Sequence, residues 1–276
     1  MTDPALLNHI FLFYPGGAGG NFIGKVMLGA QYDQRDLILS ARGGCHQTTD
    51  NYAFTWWNPP AGDNRSMTEK LGNMSADIEH PLHLSHDMDI IPAVREFCPN
   101  VKIMVVTTRS TREKVAAYLQ WHSKYYLDGT CPGTNDYIVQ WENTMKEKLI
   151  KLGVSPGRIP HRHNKEYFEL LLHVSTEDYL SNVLNPTWRD PEDQYDISGC
   201  VELPYSVIMI HDTPRFITSI QACFKNELTS KQQQYITRNF DTYYDIQNKD
   251  LLDDPIGYLR HIKNKAAMLL TKITLP

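Results

Sequence analysis

The residues from His9 to Ala30 read HIFLFYPGGAGGNFIGKVMLGA. Their first part, 9–14, is a short run of aromatic and branched apolar residues, which is typical of a strand buried on both faces. This run stops at a glycine-rich turn, 15–20. After the turn, apolar residues recur at helical spacing, at Phe22, Ile23, Val26, Met27 and Ala30. The order strand, glycine turn, helix predicts an α/β protein.

Further strands and helices alternate along the rest of the chain. The predicted strands are 81–85, 101–108 and 204–210, and the predicted helices include 90–97, 111–126, 214–224, 230–245 and 257–271. This alternation predicts a central parallel sheet with helices on both faces and a helical C-terminal tail. We expect one domain, 1–276, with a long and mostly irregular insertion at about 40–78 that is rich in Asn, Pro and Gly.

Composition argues against several classes of partner. The net charge is −5 and no long run of Lys or Arg occurs, so nucleic acid is not an expected partner. The five cysteines are widely spread and form no C-x-x-C pair, which favours a reducing, cytoplasmic setting. The sequence shows no signal peptide and no candidate membrane span.

The glycine turn is the strongest candidate for a functional site. Glycines let several backbone N–H groups converge, and the helix that follows adds its partial positive charge, so we expect a phosphate to bind here. The turn lacks the G-K-[ST] of a Walker A motif, because Lys25 lies five residues past Gly20. Phe22 stands where a dinucleotide-binding motif has its third glycine. The alternative is that the glycines only form a tight turn.

Two histidines, His83 and His86, come at the end of a predicted strand. Histidine is suited to general-base catalysis near neutral pH, and Asp87 or Asp89 could orient it. We expect a catalytic role for one of the two histidines. The alternative is that both are structural or face the solvent.

Arg109 comes at the end of the predicted strand 101–108, among Thr and Ser hydroxyls. A guanidinium fork beside hydroxyl groups is suited to binding a phosphate. The alternative is a surface salt bridge, and Arg112 is the competing phosphate ligand.

Two further groups of residues are weaker candidates. Trp56 and Trp57 could form a stacking platform for a base or a sugar, although such residues more often pack under a loop. One Cys and several His residues recur between positions 45 and 86, but their spacing matches no zinc motif. We therefore predict no metal site.

Together these segments resemble the P-loop sulfotransferase family. Residues 14–22, YPGGAGGNF, are similar to the family's P-K-S-G-T-T-W loop with one residue added. Residues 83–92 are similar to its T-H-L-P…L-L-P segment, and residues 105–113 occupy the place of its R-N-P-x-D motif. Residues 207–212 look like its Y-E-D-L strand. Turns of the G-G-A-G-G type occur in viral and bacterial sulfotransferase-like proteins, and the resemblance is scattered over residues 9–245. For a viral protein the resemblance implies the host cytoplasm as the location.

The resemblance implies an enzyme that moves a sulfuryl group from 3′-phosphoadenosine 5′-phosphosulfate, its co-substrate, to an acceptor hydroxyl or amine. Arg109 would hold the 3′-phosphate, and His83 or His86 would be the base. The 5′-phosphosulfate would lie on the turn residues Gly17, Ala18, Gly19, Gly20, Asn21 and Phe22. The family's loop lysine is replaced by Gly16 or Gly17, and the missing charge would come from Lys25, Arg42 or Arg65.

Two other functions are compatible with these residues. The first is a non-catalytic binding or structural protein that keeps the fold, and the replaced loop lysine favours it. The second is a nucleotide or metabolite kinase, which the lack of a Walker lysine disfavours. The expected partner of the enzyme is a small-molecule or glycan acceptor, and a homo-oligomer or a larger assembly is compatible with the sequence.

Overall fold

The fold is built on a parallel β-sheet with the strand before the glycine turn at its centre. A computed structural model describes residues 8–32, 53–55, 82–85, 88–127, 143, 146–159, 196–247 and 249–274. The strands are β1 (Ile10–Phe13), β2 (Ala53–Thr55), β3 (Leu82–Ser85), β4 (Lys102–Thr107) and β5 (Val201–Pro204). Their order is β2-β3-β1-β4-β5, and every neighbouring pair is parallel.

Helices make up most of the described residues. They are α1 (Gly20–Tyr32), α2 (Ile91–Phe97), α3 (Thr111–Leu127), α4 (Tyr205–Met209), α5 (Thr213–Gln221), α6 (Ser230–Ile246), α7 (Lys249–Asp253) and α8 (Pro255–Thr274). Short 3₁₀ turns occur at Met88–Ile90 and Pro156–Arg158, and residues 146–151 are helical. The predicted α/β class, the parallel sheet and the helical C-terminal tail are confirmed.

The sheet separates two apolar clusters, because side chains alternate between its faces. Ile10 and Leu12 of β1 lie on the first face, in one cluster with residues of α1, α3 and the C-terminal helices. Phe11 and Phe13 lie on the second face, in a cluster with residues of α2. Helix α1 is buried throughout residues 20–30, which fixes the glycine turn between the core and the edge of the sheet.

The prediction of a strand at 204–210 is wrong in its position. The strand β5 ends at Pro204, and Tyr205–Met209 form a short helix. A continuous apolar run does not distinguish a buried strand from a buried helix, and Pro204 has no N–H to continue a ladder. The helix ends at Met209, and His211, two residues further on, has φ 56°. The last carbonyls of the helix accept from the amides of His211 and Asp212.

The predicted irregular insertion contains a strand. Ala53–Thr55, near its start, pair with Leu82–Leu84 and form the outer strand β2 of the sheet. Three residues give too short a pattern to be recognised from the sequence. The rest of the insertion lies outside the described residues.

Candidate functional site

The glycine turn joins the carboxyl end of β1 to the start of α1. Gly17 and Gly19 have φ values of 82° and 77°, a region that other residues rarely adopt. The amide of Ala18 donates to the carbonyl of Pro15 at 3.1 Å, and the amide of Ile23 donates to the carbonyl of Gly19 at 3.0 Å. Two of the four glycines in the turn are therefore required by the backbone itself.

Tyr14 fixes the first turn of α1. Its ring packs so closely on Gly20 that a Cβ atom there would clash with the ring. Its hydroxyl donates to Asn21 Oδ1 at 2.6 Å. Gly20 is therefore needed for close packing, and the side chain of Asn21 is held by Tyr14 beside the turn.

Tyr243, from α6, covers the turn on the first face of the sheet. A Cβ atom on Gly19 would lie 3.0 Å from the Tyr243 hydroxyl and 3.7 Å from Ile208 Cδ1. The ring of Tyr243 stacks on Phe22 with centroids 3.9 Å apart. Sequence reasoning did not find Tyr243 as part of the site, because a tyrosine on an amphipathic helix carries no local signal of its partner.

Several backbone amides of the turn have no backbone acceptor among the described residues. The N–H groups of Gly17, Gly19, Gly20 and Phe22 donate to no backbone carbonyl within the described residues. The first amides of a helix lack intrahelical partners, and α1 is a 13-residue helix with no acidic residue in its first turn. Such amides, together with the positive end of the helix dipole, can bind an anion.

The neighbouring strands β1 and β3 form a topological switch point of the sheet. The chain leaves β1 through α1 on the first face, and it leaves β3 through α2 on the second face. Ligands of open α/β sheets bind outside the carboxyl ends of strands at such a point. Here the amide of Tyr14 donates to the carbonyl of Ser85, the last residue of β3, at 3.1 Å.

The structure does not bring His83 and the glycine turn together. His83 is 1% exposed and pairs with Phe11 in the middle of the sheet, on the second face. Its Nε2 lies 3.4 Å from Nε2 of His9, which precedes β1. His86, the other predicted base, follows Ser85 in the sequence and lies outside the described residues.

Arg109 lies at the carboxyl end of β4 and is held by a carboxylate. Its Nε lies 2.9 Å from Oε1 of Glu202, and its Nη2 donates to Oε2 at 2.9 Å. The hydroxyl of Thr107 donates to the same carboxylate at 2.9 Å. The predicted phosphate ligand therefore forms a two-point ion pair with β5. The competing Arg112 donates instead to the carbonyl of Asp253, at the end of α7, at 2.6 Å.

A second carboxylate, Glu113, joins the starts of two helices. Its Oε2 accepts from the amide and the hydroxyl of Ser110, each at 2.8 Å, and its Oε1 accepts from the amide of Ser206 at 2.8 Å. Burial alone would raise the pKa of Glu113, but these hydrogen bonds outweigh burial and hold the pKa below its ordinary value. Glu113 is thus a buried, charged cap for both α3 and α4.

Other predicted residues are placed as follows. Lys25, a candidate for the missing charge, is 2% exposed within α1. No group of three or more His, Cys, Asp or Glu among the described residues could hold a metal ion. The remaining candidates lie outside the described residues: Arg42, Arg65, Trp56, Trp57, Cys45, His46 and His80.

Comparisons with protein-family models, with curated proteins and with solved structures found no significant match to this chain. Within the part of the chain that the structure describes, no helix is long and apolar enough to cross a membrane. A functional proposal therefore depends on the geometry and chemistry of the glycine turn and its surroundings.

Proposed function

We propose that this chain binds a nucleotide whose 5′-phosphate lies on the glycine turn. The observation that carries the proposal is the turn itself, where Gly17 and Gly19 adopt positive φ between the central strand and a buried helix. Some amides of the turn donate to no backbone carbonyl in the described part of the chain, and these amides, with the positive end of α1, supply the attraction for a phosphate. The switch point between β1 and β3 is the place where ligands of open α/β sheets bind.

Sulfuryl transfer is the catalytic form of this proposal. The resemblance to P-loop sulfotransferases supports 3′-phosphoadenosine 5′-phosphosulfate as the donor and a small-molecule or glycan acceptor. The turn amides would stabilise the negative charge that spreads over the sulfuryl group in the transition state. His83 is buried and pairs with Phe11, a residue of the second face, and this position favours His86 as the base.

A non-catalytic, nucleotide-binding protein is the second candidate. Two observations favour it: the guanidinium of Arg109 is occupied by Glu202, and the turn contains no lysine. Measuring the release of adenosine 3′,5′-bisphosphate from the donor in the presence of candidate acceptors separates the two. Donor turnover supports the enzyme, whereas nucleotide binding without turnover supports the second candidate.

The binding site is tested by placing a negative charge at the turn without straining it. Gly16, unlike Gly17 and Gly19, has no positive φ, so a side chain is compatible with its backbone. Gly16→Asp should weaken binding of adenosine 5′-monophosphate by at least about tenfold, since like charges a few Å apart repel by a few kcal/mol at a protein surface.

Gly16→Asn is the matched control, because it has nearly the same shape without the charge, and it should weaken binding much less. Isothermal titration calorimetry measures both affinities. Equal affinities of Gly16→Asp and the wild type, in folded proteins, would show that the turn only shapes the backbone.

A further inference from the structure

The pair formed by Arg109 and Glu202 bears on which nucleotide the site accepts. We propose that this pair holds a free ribose hydroxyl, so that the site selects nucleoside 5′-phosphates over their 3′-phosphorylated forms. The inference rests on the proposed nucleotide site in its non-catalytic form and names its ligand class, because a site that selects against a 3′-phosphate would not take 3′-phosphoadenosine 5′-phosphosulfate. It replaces the 3′-phosphate contact that the sequence predicts for Arg109.

One edge of the Arg109 guanidinium is already hydrogen-bonded to Glu202. Nε and Nη2, the two nitrogens of one edge of the guanidinium, lie 2.9 Å from the two carboxylate oxygens of Glu202. Thr107, 0% exposed, donates its hydroxyl to Oε1 of the same carboxylate at 2.9 Å. Glu202 is thus fixed by two neighbours at the end of β4, and a phosphate would have to displace it to reach the same edge of Arg109.

The pair lies where a ribose can reach it. Thr107 is the last residue of β4, so its bond to Glu202 places the carboxylate near the carboxyl ends of the strands. Glu202 pairs with Val105, so its side chain starts from the second face of the sheet. Strands β1, β4 and β5 are consecutive neighbours, which puts β5 about 10 Å from β1. The side chains of Arg109 and Glu202 are 62% and 36% exposed and therefore accessible to a ligand.

The chemistry of the pair favours a hydroxyl. A hydroxyl can donate to the Glu202 carboxylate and accept from a remaining N–H of Arg109, so both partners are satisfied. A phosphate has no proton to donate at neutral pH and brings negative charge against the carboxylate. Dinucleotide-binding proteins make the same distinction, in which an acidic residue binds a ribose hydroxyl and an arginine accommodates a phosphate at that position. Repulsion of the wrong ligand is a common source of specificity.

Calorimetric titration of the full chain with three ligands tests this inference. The ligands are adenosine 5′-monophosphate, its 3′-deoxy analogue and adenosine 3′,5′-bisphosphate. The wild type should bind the monophosphate at least about tenfold more tightly than the other two, since each of these loses or opposes a charge-assisted hydrogen bond. Glu202→Gln should reduce the discrimination against the bisphosphate by at least about tenfold.

Asp196→Asn is the matched control. Asp196 is paired with Arg95 at 3.3 Å and precedes β5, so its substitution removes the same charge from an exposed Arg–carboxylate pair away from the proposed site. It should leave all three affinities unchanged. Thermal unfolding checks that the variants fold. The amide introduced by Glu202→Gln retains a carbonyl oxygen that can accept from the Thr107 hydroxyl. If that variant does not fold, the three affinities of the wild type still test the inference.

The outcomes separate this inference from the proposed function. Tighter binding of the bisphosphate by the wild type would overturn the inference and leave the nucleotide site intact. The same holds for equal affinity of the monophosphate and its 3′-deoxy analogue. Absence of binding by all three ligands would overturn the nucleotide site itself and with it the inference.

Discussion

Replacement of Glu113 by Gln should destabilise the protein although the two side chains have nearly the same shape. The carboxylate of Glu113 accepts three hydrogen bonds of 2.8 Å from Ser110 and Ser206, and the residue is 6% exposed. An amide presents one oxygen and one NH₂ group. In either orientation, the NH₂ group therefore faces the amide of Ser110 or of Ser206, and one backbone N–H loses its acceptor.

The size of the effect follows from these contacts. A hydrogen bond to a charged group contributes about 1.5–3 kcal/mol, against about 0.5–1.5 kcal/mol for a neutral one. One charged contact is lost and the others become neutral, while the smaller desolvation cost of the amide offsets part of the loss. We expect a decrease of about 2–3 kcal/mol in the free energy of unfolding, which lowers Tm by about 4–12 °C for a chain of this size.

Urea denaturation followed by circular dichroism measures this decrease at pH 7. Glu227→Gln is the control, because Glu227 is an exposed residue before α6 and should change stability by less than about 0.5 kcal/mol. A Glu113→Gln protein as stable as the wild type would refute the assignment of Glu113 as a charged cap for two helices.

The effect of Glu113→Gln on the free energy of unfolding should depend on pH. The pKa of Glu113 is lower in the folded protein than in the unfolded chain, so its stabilising contribution is fully present above the unfolded pKa, about 4.3, and is lost as the pH falls through the folded value. The difference in stability between the wild type and Glu113→Gln should therefore be constant near neutral pH and shrink below about pH 4.3. A difference that grows on acidification would contradict this sign.

Three further substitutions test the placement of predicted site residues. Gly19→Val should lower the free energy of unfolding by about 2–4 kcal/mol, because a branched side chain resists φ 77° and meets the Tyr243 hydroxyl; an unchanged urea midpoint would contradict this packing. His83→Ala should cost about 1–3 kcal/mol of stability with unchanged affinity for adenosine 5′-monophosphate, and a tenfold loss of affinity at full stability would place His83 in the site instead. Arg112→Ala should lower the free energy of unfolding by about 1 kcal/mol, because the hydrogen bond that caps α7 is lost. Calorimetry should show unchanged nucleotide affinity, and a loss of affinity would place Arg112 in the site.

The parts of the fold that the sequence predicts are those with a local signal. The strand, the glycine turn and α1 follow one another within residues 9–32, and their pattern needs no information from elsewhere in the chain. Helix α6 likewise begins at a capping box formed by Thr229 and Gln232, which lie within four neighbouring positions in the sequence.

The parts that the sequence does not predict depend on contacts between distant residues. Arg109 and Glu202 are 93 positions apart, and no sequence pattern near either residue predicts that they pair. Tyr243 reaches the glycine turn from α6 near the other end of the chain. The short helix Tyr205–Met209 begins where Glu113 accepts from the amide of Ser206, also 93 positions away. Tertiary contacts of this kind override local propensity.

A nuclear magnetic resonance titration of the ¹⁵N-labelled protein with adenosine 5′-monophosphate tests the nucleotide site most directly. If the 5′-phosphate lies on the turn, the largest amide shifts should occur at Gly17, Gly19, Gly20 and Phe22, whose N–H groups donate to no backbone carbonyl in the described residues. Adenosine, which lacks the phosphate, should leave these four amides nearly unchanged at the same concentration. Shifts confined to other parts of the chain, or equal shifts with adenosine, would contradict a phosphate site at the glycine turn.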